Sequence, residues 1–301
     1  RLPRFADETF KEWFARRGPR NVDKPPVLLW ADTFNNHFHP QVAKAAVDVL
    51  ERLGYQVRVS QEHLCCGRPL YDHGFLSQAK GLLEQIMTRL GPPIEAGMPI
   101  IGLEPSCVAV FRDEVTNLFP DREAAWKLSQ QVMMLSEFLE REAKDVALPR
   151  LSRKAVVHGH CHHKAIMKLD AETAVLDRLG LDYEVLDSGC CGMAGSFGFE
   201  PDHLEVSLKA GERVLLPAVR AADPETLIVT DGFSCHEQIA QGTGRRAMHL
   251  AEVLQLAFSQ GEAIAPEKPS RGLAVGEKVL LAGGLALAAY LAFKRAKRKG
   301  A

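Results

Sequence analysis

The chain alternates short apolar runs with longer segments of helical periodicity. Residues 39–53 and 171–179 have helical spacing and end at Gly54 and Gly180, which suit the position just after a helix. Further helical segments are predicted near 75–90 and 202–221. Six apolar runs have strand length: PVLLWA (26–31), YQVRV (55–59), MPIIGLE (98–104), KAVVHG (154–159), YEVL (183–186) and TLIVTDG (226–232). Such alternation predicts an α/β fold with mostly parallel sheets and crossover helices.

The same order of elements occurs twice, at a period of about 126 residues. LERLGYQV (50–57) matches LDRLGLDY (176–183), HLCCGRPLYDHG (63–74) matches SGCCGMAGSFGF (188–199), and EPSC (104–107) matches GFSC (232–235). A repeat this long indicates a duplicated domain rather than a solenoid. We therefore predict a linker at 1–25, two similar cysteine-rich domains at 26–150 and 151–258, a linker at 259–278, and an apolar helix with a basic tail at 279–301.

Composition narrows the possible functions. The 301 residues carry a formal net charge of −1, which gives no global field to attract nucleic acid. The seven cysteines are an odd number and include the adjacent pairs Cys65-Cys66 and Cys190-Cys191, a pattern that does not suit a disulfide framework. The chain begins RLPRF, without an initiator Met, so we expect it to be part of a longer protein.

The cysteines follow predicted strands, at the sheet edge where parallel sheets place their binding sites. In the second copy, Cys161, Cys190, Cys191 and Cys235 supply four thiolates from three loops. Four cysteines can hold zinc or a [4Fe–4S] cluster, and an adjacent pair without a C-x₂₋₄-C knuckle favours the cluster. The segment HGHCHHK adds His158, His160, His162 and His163, either as ligands or as hydrogen-bond donors around the site.

The first copy is poorer in cysteine. It offers Cys65, Cys66 and Cys107, and at the 125-residue offset of the Cys-Cys pairs the position opposite Cys161 is Asn36. Either His37 or His39 completes a site there, or this copy carries a degenerate site. We expect a degenerate or noncubane site. The chain as a whole shows no residue pattern that we would assign as catalytic.

Five strings carry a specific resemblance: CCGRPLYDHG, GLEPSCVAVFRDE, HGHCHHKA, DSGCCGMAGSFGFE and DGFSC. They resemble the cysteine-rich "CCG" domain of the heterodisulfide reductase B type and of the iron–sulfur subunits of glycolate oxidase and anaerobic glycerol-3-phosphate dehydrogenase. The resemblance is strongest to the C-terminal part of fused FAD-binding and iron–sulfur D-lactate and related 2-hydroxyacid dehydrogenases, and it covers about residues 1–258.

This resemblance implies an iron–sulfur electron-transfer module of a flavin-linked 2-hydroxyacid dehydrogenase, passing electrons towards a quinone or another acceptor. FAD and a ferredoxin-like module would then lie upstream or on a partner flavoprotein. The chain departs from the fullest family pattern because Glu104 and Gly232 stand where each copy would have the first Cys of a CxxC. Two alternatives stay open, a thiol/disulfide reductase of the heterodisulfide type and a zinc-stabilised interaction module.

The C-terminal segment indicates where the protein lies relative to the membrane. Residues 279–293 are 15 uncharged residues followed by KRAKRKG. A helix of this length spans about 22 Å, short of the roughly 30 Å of a bilayer core. We therefore expect a cytoplasmic protein with a helix lying on the inner membrane surface or docking to a partner, rather than a transmembrane span.

Overall fold

The computed structural model describes residues 2–261, all within one compact unit, as an α/β fold with two parallel sheets. The first sheet has the order β2-β1-β3-β4 and the second the order β6-β5-β7. The strands are β1 (Pro26–Leu29), β2 (Gln56–Arg58), β3 (Ile100–Gly102), β4 (Val132–Met134), β5 (Lys154–Val157), β6 (Asp182–Val185) and β7 (Leu227–Val229).

Helices connect the parallel strands of both sheets, because neighbouring parallel strands need a crossover connection. Those of the first half are α1 (Phe10–Arg17), α2 (Thr33–His37), α3 (Pro40–Arg52), α4 (Arg68–Asp72), α5 (Leu76–Arg89), α6 (Gly91–Glu95), α7 (Pro105–Ala109), α8 (Val115–Leu118), α9 (Glu123–Gln131) and α10 (Leu135–Glu142). Those of the second half are α11 (Asp170–Arg178), α12 (Leu204–Gly211), α13 (Leu215–Ala221), α14 (Phe233–Thr243) and α15 (Leu250–Gln260). Single π-helical turns cover Val110–Glu114 and His163–Met167, and 3₁₀ turns cover Phe197–Phe199 and Pro201–His203.

The duplication is visible in the strand register. Leu28 of β1 pairs with Ile100 of β3, and Val156 of β5 pairs with Ile228 of β7. Each residue of the second pair therefore lies 128 positions after its equivalent in the first pair. All six predicted strands form, and every pairing between named strands is parallel. Residues 39–53 and 171–179 form α3 and α11, and Gly54 and Gly180 after them have φ of +87° and +67°, as a left-handed helix end requires.

One strand is absent from the sequence prediction. Strand β4 is only three residues long and lies between two helices, so its VMM run is indistinguishable by pattern from helix. The second copy has a single-residue counterpart, a parallel bridge between Val229 and Met248. Pairing with β3, rather than any local signal, makes this segment extended.

The largest hydrophobic core draws on both halves of the chain. Helix α15 packs along α3, and buried side chains from both, such as Leu50 and Leu254, belong to the same cluster. The segment 1–25, which the sequence suggests is a linker, contains α1, whose Phe10 is fully buried in that cluster. The two halves therefore share this core, while a second cluster lies almost wholly in the first half and a third lies within the second half.

The predicted apolar helix at 279–293 and its basic tail lie outside the described residues. Within residues 2–261, no helix combines the length and the apolar character that a membrane crossing needs.

Candidate functional site

Four thiols of the second copy meet at the carboxyl edge of its sheet. Cys161 follows β5, Cys190 and Cys191 lie in the loop after β6, and Cys235 lies in the first turn of α14, after β7. The thiols form a chain of neighbours within hydrogen-bonding reach, in the order Cys161, Cys190, Cys191, Cys235. The three-loop convergence expected from the sequence is therefore present in the fold.

The chain of thiols runs from the surface to the interior. Cys190 is exposed and Cys161 partly so, whereas Cys191 and Cys235 are only 3% and 1% exposed. Hydrogen bonds from the Cys161 and Cys191 thiols lower the pKa of Cys190, and a hydrogen bond from Cys191 lowers the pKa of Cys235 well below its usual range. The same contacts, together with burial, raise the pKa of Cys161 and Cys191. Two thiols of this group are thus poised as thiolates, the form that binds metal.

Histidines lie next to these thiols, and ligand atoms of His160, Cys161 and His162 lie within 4.8 Å of one another. His158 Nδ1 lies 2.6 Å from the Ser188 hydroxyl oxygen, and its buried Nε2 has no hydrogen-bond partner. After Cys191, the His158 side chain also contributes to the lowered pKa of Cys235. His160 accepts the backbone N–H of His162 at Nδ1, which is 4.0 Å from the Cys161 sulfur. Burial lowers the pKa of His160 to about 4, so its ring is neutral.

Glycine and lysine shape the loop that carries the adjacent cysteines. Gly192 has φ of +96°, and a Cβ there would lie 2.0 Å from the Ser207 carbonyl oxygen, so only glycine fits. Its backbone N–H donates to the Cys190 sulfur at 3.3 Å. Lys164 binds the carbonyl oxygens of Ser188 and Gly189 and fastens the loop to the π-helical turn. The Gly192 N–H therefore brings the backbone close to a cysteine sulfur.

The first copy brings its three cysteines together but lacks a fourth thiol. The Cys66 and Cys107 sulfurs are 3.0 Å apart, and Cys65 hydrogen-bonds to Cys66. At the 128-residue offset of the paired strands, the residue equivalent to Cys161 is Thr33, not Asn36, and the Thr33 hydroxyl hydrogen-bonds to Cys65. The predicted equivalence with Asn36 is therefore wrong, because the loops after β1 and β5 keep the offset of the strands and not that of the Cys-Cys pairs.

Neither histidine proposed for the first copy is turned to its thiols. His37 contacts the Asn36 side chain at 3.0 Å, and His39 faces Glu237 of the second copy at 3.4 Å. Hydrogen bonding to the neighbouring thiol and burial raise the pKa of both Cys65 and Cys66. The pKa of Cys107 is raised as well, because burial and the nearby Asp32 carboxyl outweigh the hydrogen bond from Cys66. All three thiols of this copy are therefore held in the protonated form.

The two positions that depart from the CxxC pattern lie where the copies meet. The Glu104 carboxylate accepts the backbone N–H of Phe233 at 2.9 Å and so caps α14 of the other copy. A Cβ at Gly232 would lie 2.2 Å from the His160 ring, so a cysteine would not fit beside this histidine. Sequence reasoning missed Thr33 and Glu104 as parts of this arrangement. The EPSC/GFSC offset of 128 could have identified Thr33 as the equivalent of Cys161. The sequence shows Glu104 only as a departure from the CxxC pattern, and no local pattern predicts that it caps α14.

Comparison with known proteins agrees with this geometry. A model of the cysteine-rich domain family (CCG) matches residues 32–112 and 156–240, which contain all seven cysteines. Lactate utilization protein A of Bacillus licheniformis is 30% identical over 244 residues, covering 76% of this chain and 98% of that protein. The C subunit of anaerobic glycerol-3-phosphate dehydrogenase from Escherichia coli is 29% identical over 272 residues, and D-2-hydroxyglutarate dehydrogenase of Pseudomonas putida is 28% identical over 230 residues.

The coverage of these relatives differs. The alignments include 66% of the glycerol-3-phosphate dehydrogenase subunit, slightly less than two thirds, and 22% of the 2-hydroxyglutarate dehydrogenase. The family match, by contrast, includes more than half of this chain, in two segments related by the internal repeat. The chain therefore belongs to the cysteine-rich domain family, of which it carries two copies.

Proposed function

We propose that this chain is the iron–sulfur electron-transfer module of a flavin-linked 2-hydroxyacid dehydrogenase. In this proposal Cys161, Cys190, Cys191 and Cys235 hold an iron–sulfur cluster of the [4Fe–4S] type. Cys65, Cys66 and Cys107 form a degenerate cofactor-binding remnant. Electrons pass from a flavin, through the module, towards a quinone or another acceptor.

The observation that carries the proposal is the contiguous group of four thiols supplied by three loops of one copy. A compact zinc knuckle would draw its ligands from one or two short loops, and no such knuckle occurs among the described residues. The N–H of Gly192 donates to the Cys190 sulfur, and the His158 side chain interacts with Cys235. Donors of this kind stabilise the negative charge of a cluster and tune its potential.

When bound, such a cluster accepts and releases single electrons. The chain itself would hold the cluster through the buried thiolates of Cys191 and Cys235 and shield it from water on that side. The exposed Cys190 marks the side on which a redox partner can approach. Lys164 would keep the adjacent-cysteine loop in position while the charge of the site changes.

The rest of the assembly is also part of the proposal. The names of the relatives, which include D-2-hydroxyglutarate dehydrogenase and lactate utilization protein A, support a 2-hydroxyacid as the electron source. FAD would be bound by a flavoprotein domain or subunit, with a ferredoxin-like module between it and this chain. We place the protein in the cytoplasm, peripheral to the inner face of the membrane.

The test is the cofactor of anaerobically purified full chain. We expect iron and acid-labile sulfide in near-equal amounts, with a broad visible absorption that bleaches on reduction. A colourless protein that carries zinc at the four thiols would contradict the proposal and favour an interaction module. Turnover of a disulfide substrate by the chain alone would instead favour the thiol/disulfide reductase.

A further inference from the structure

A second cluster of ionisable side chains lies below the thiols and takes no part in the proposed electron transfer. His163 comes from the π-helical turn after Cys161, Glu172 from the first turn of α11, and Asp231 from the loop between β7 and α14. The three side chains are 1%, 2% and 4% exposed. One nitrogen or oxygen atom of each lies within 4.8 Å of those of the other two.

The His163 ring is the unusual member of this cluster. Both of its nitrogens are buried and neither makes a hydrogen bond, although Nδ1 lies 3.2 Å from Glu172 Oε2. A buried polar group without a partner costs free energy, so such a group in a native fold calls for an explanation. The 3.2 Å separation is close to the edge of about 3.3 Å between two ligands that each lie 2.0–2.1 Å from one tetrahedral metal ion.

The two carboxyls beside the ring are also unusual in their partners. Among the described residues, neither Glu172 nor Asp231 forms an ion pair with a Lys or an Arg, and their ion-pair partners are His163 and His249. His249 is already committed, since its Nδ1 accepts the N–H of Ala251 and its Nε2 contacts the Leu103 carbonyl oxygen at 2.9 Å. Asp231 Oδ1 also accepts the backbone N–H of Leu250 at 2.9 Å, so Glu172 is the carboxyl whose ion-pair partner is His163 alone.

The repeat shows that the fold itself does not need these groups. The paired strands of the two copies are offset by 128 residues, which makes Asn35 the equivalent of His163 and Leu103 the equivalent of Asp231. The ends of α3 and α11 are offset by 126 residues, which makes Ala46 the equivalent of Glu172. Leu103 and Ala46 are fully buried in the apolar core. The second copy therefore holds a polar set at positions where the same architecture packs with apolar or neutral side chains.

We propose that His163, Glu172 and Asp231 bind one divalent transition-metal ion, such as Zn²⁺, at a structural site separate from the four thiols. One imidazole and two carboxylates form a donor set typical of Zn²⁺, Mn²⁺ or Fe²⁺, rather than the all-oxygen set of Mg²⁺ or Ca²⁺. The ion neutralises the buried carboxylates and gives the His163 ring its partner. It also ties together the π-helical turn after Cys161, the loop before Cys235 and the start of α11.

Cobalt provides the test, because its spectrum distinguishes nitrogen and oxygen ligands from thiolate. In full chain with Cys161, Cys190, Cys191 and Cys235 replaced by Ser, Co²⁺ should bind as one equivalent. It should give visible d–d bands without a near-ultraviolet thiolate-to-cobalt band. Glu172→Gln and His163→Gln in this background should abolish the spectrum, weakening binding by more than the roughly 10–100-fold that loss of an outer-shell partner costs. His162→Gln, at the neighbouring half-buried ring, is the matched control and should leave the spectrum intact.

A stability measurement covers the case in which the four-serine chain does not fold. In the unsubstituted chain, Zn²⁺ should raise the unfolding temperature above that in chelator, because the ion binds only the folded state. Glu172→Gln should remove this rise and, in chelator, be about as stable as the unsubstituted chain, since burial raises the pKa of Glu172 and the amide replaces an uncharged carboxyl. Absence of a cobalt spectrum in a folded four-serine chain, or a zinc-dependent rise that Glu172→Gln retains, would overturn the site whatever the cluster content.

Discussion

The Glu104 carboxylate of the first copy accepts the backbone N–H of Phe233, at the start of α14 in the second copy, over 2.9 Å. Glu104 is 2% exposed, and its other oxygen accepts from the N–H and hydroxyl of Ser106. Phe233 in turn stacks on Phe34 of the first copy with ring centroids 4.4 Å apart. Glu104, at a position that could have carried a cysteine ligand, thus joins the copies instead.

Glu104 makes the stability of the fold depend on pH. Burial, with a smaller contribution from Asp32, raises the pKa of Glu104 from 4.5 to about 8. The folded state holds the proton of the Glu104 carboxyl more tightly than the unfolded state does. The contribution of Glu104 to the free energy of unfolding is therefore fully present below pH 4.5 and is lost as the pH rises through about 8. The slope from this group is at most about 1.4 kcal/mol per pH unit. Urea unfolding of Glu104→Gln between pH 5 and 9 should show a flatter profile than the unsubstituted chain, whereas Glu225→Gln, at an exposed side chain, should not. Parallel profiles for Glu104→Gln and the unsubstituted chain would contradict this assignment.

Replacement of Cys191 by Ser should remove most of the iron and the paramagnetic signal of the reduced protein. Cys191 lies in the middle of the thiol chain and is 3% exposed, and a hydroxyl is a poor iron ligand. Iron analysis and electron paramagnetic resonance measure the loss. Ala194→Ser, at an exposed position in the same loop, is the control and should keep both signals. Unchanged iron in Cys191→Ser would remove this residue from the ligand set.

The two copies should respond unequally to loss of a thiol. Cys107→Ser should reduce iron content less than Cys235→Ser, because the first copy lacks a fourth cysteine. Conversely, Thr33→Cys supplies a thiol at the position equivalent to Cys161, next to Cys65, and should raise iron per chain. Equal losses from Cys107→Ser and Cys235→Ser would mean that both copies serve one site or mirror each other.

Gly192→Ala should destabilise the fold by about 2–4 kcal/mol, through positive-φ strain and overlap with the Ser207 carbonyl. Gly189→Ala lies in the same loop with open space around its Cβ position, so it should change stability little. Chemical denaturation compares the two variants, and cluster content should follow the same order. Similar stability of both variants would show that the loop shifts to accept a side chain at Gly192.

The C-terminal segment should bind anionic membranes reversibly. Full chain should sediment with anionic liposomes, and a version without residues 272–301 should not. High salt should weaken binding, because the attraction of about 1 kcal/mol per basic residue is screened within about 3 Å at 1 M. The basic residues concerned are Lys294, Arg295, Lys297, Arg298 and Lys299. Equal binding to neutral vesicles that resists carbonate extraction would indicate a transmembrane span, and no binding at all would indicate a protein-docking role.

The sequence by itself determined the α/β class, the six principal strands and the duplication. It also determined that the cysteines follow strands. These features are local: apolar runs set the strands, periodicity sets α3 and α11, and parallel sheets bring strand ends to one edge. The convergence of Cys161, Cys190, Cys191 and Cys235 follows from that topology, so it was predictable without coordinates.

Only the tertiary structure decided which residues face one another across the chain. The equivalence of Thr33 with Cys161 depends on strand register, and insertions between the elements change the offset from 128 to 125 along the repeat. Strand β4 forms because β3 offers it a partner, and Phe10 is buried because α3 lies beneath it. The Glu104 cap on α14 and the His163, Glu172 and Asp231 cluster join segments far apart in sequence. Their energetics come from burial and proximity, which no local pattern of residues encodes.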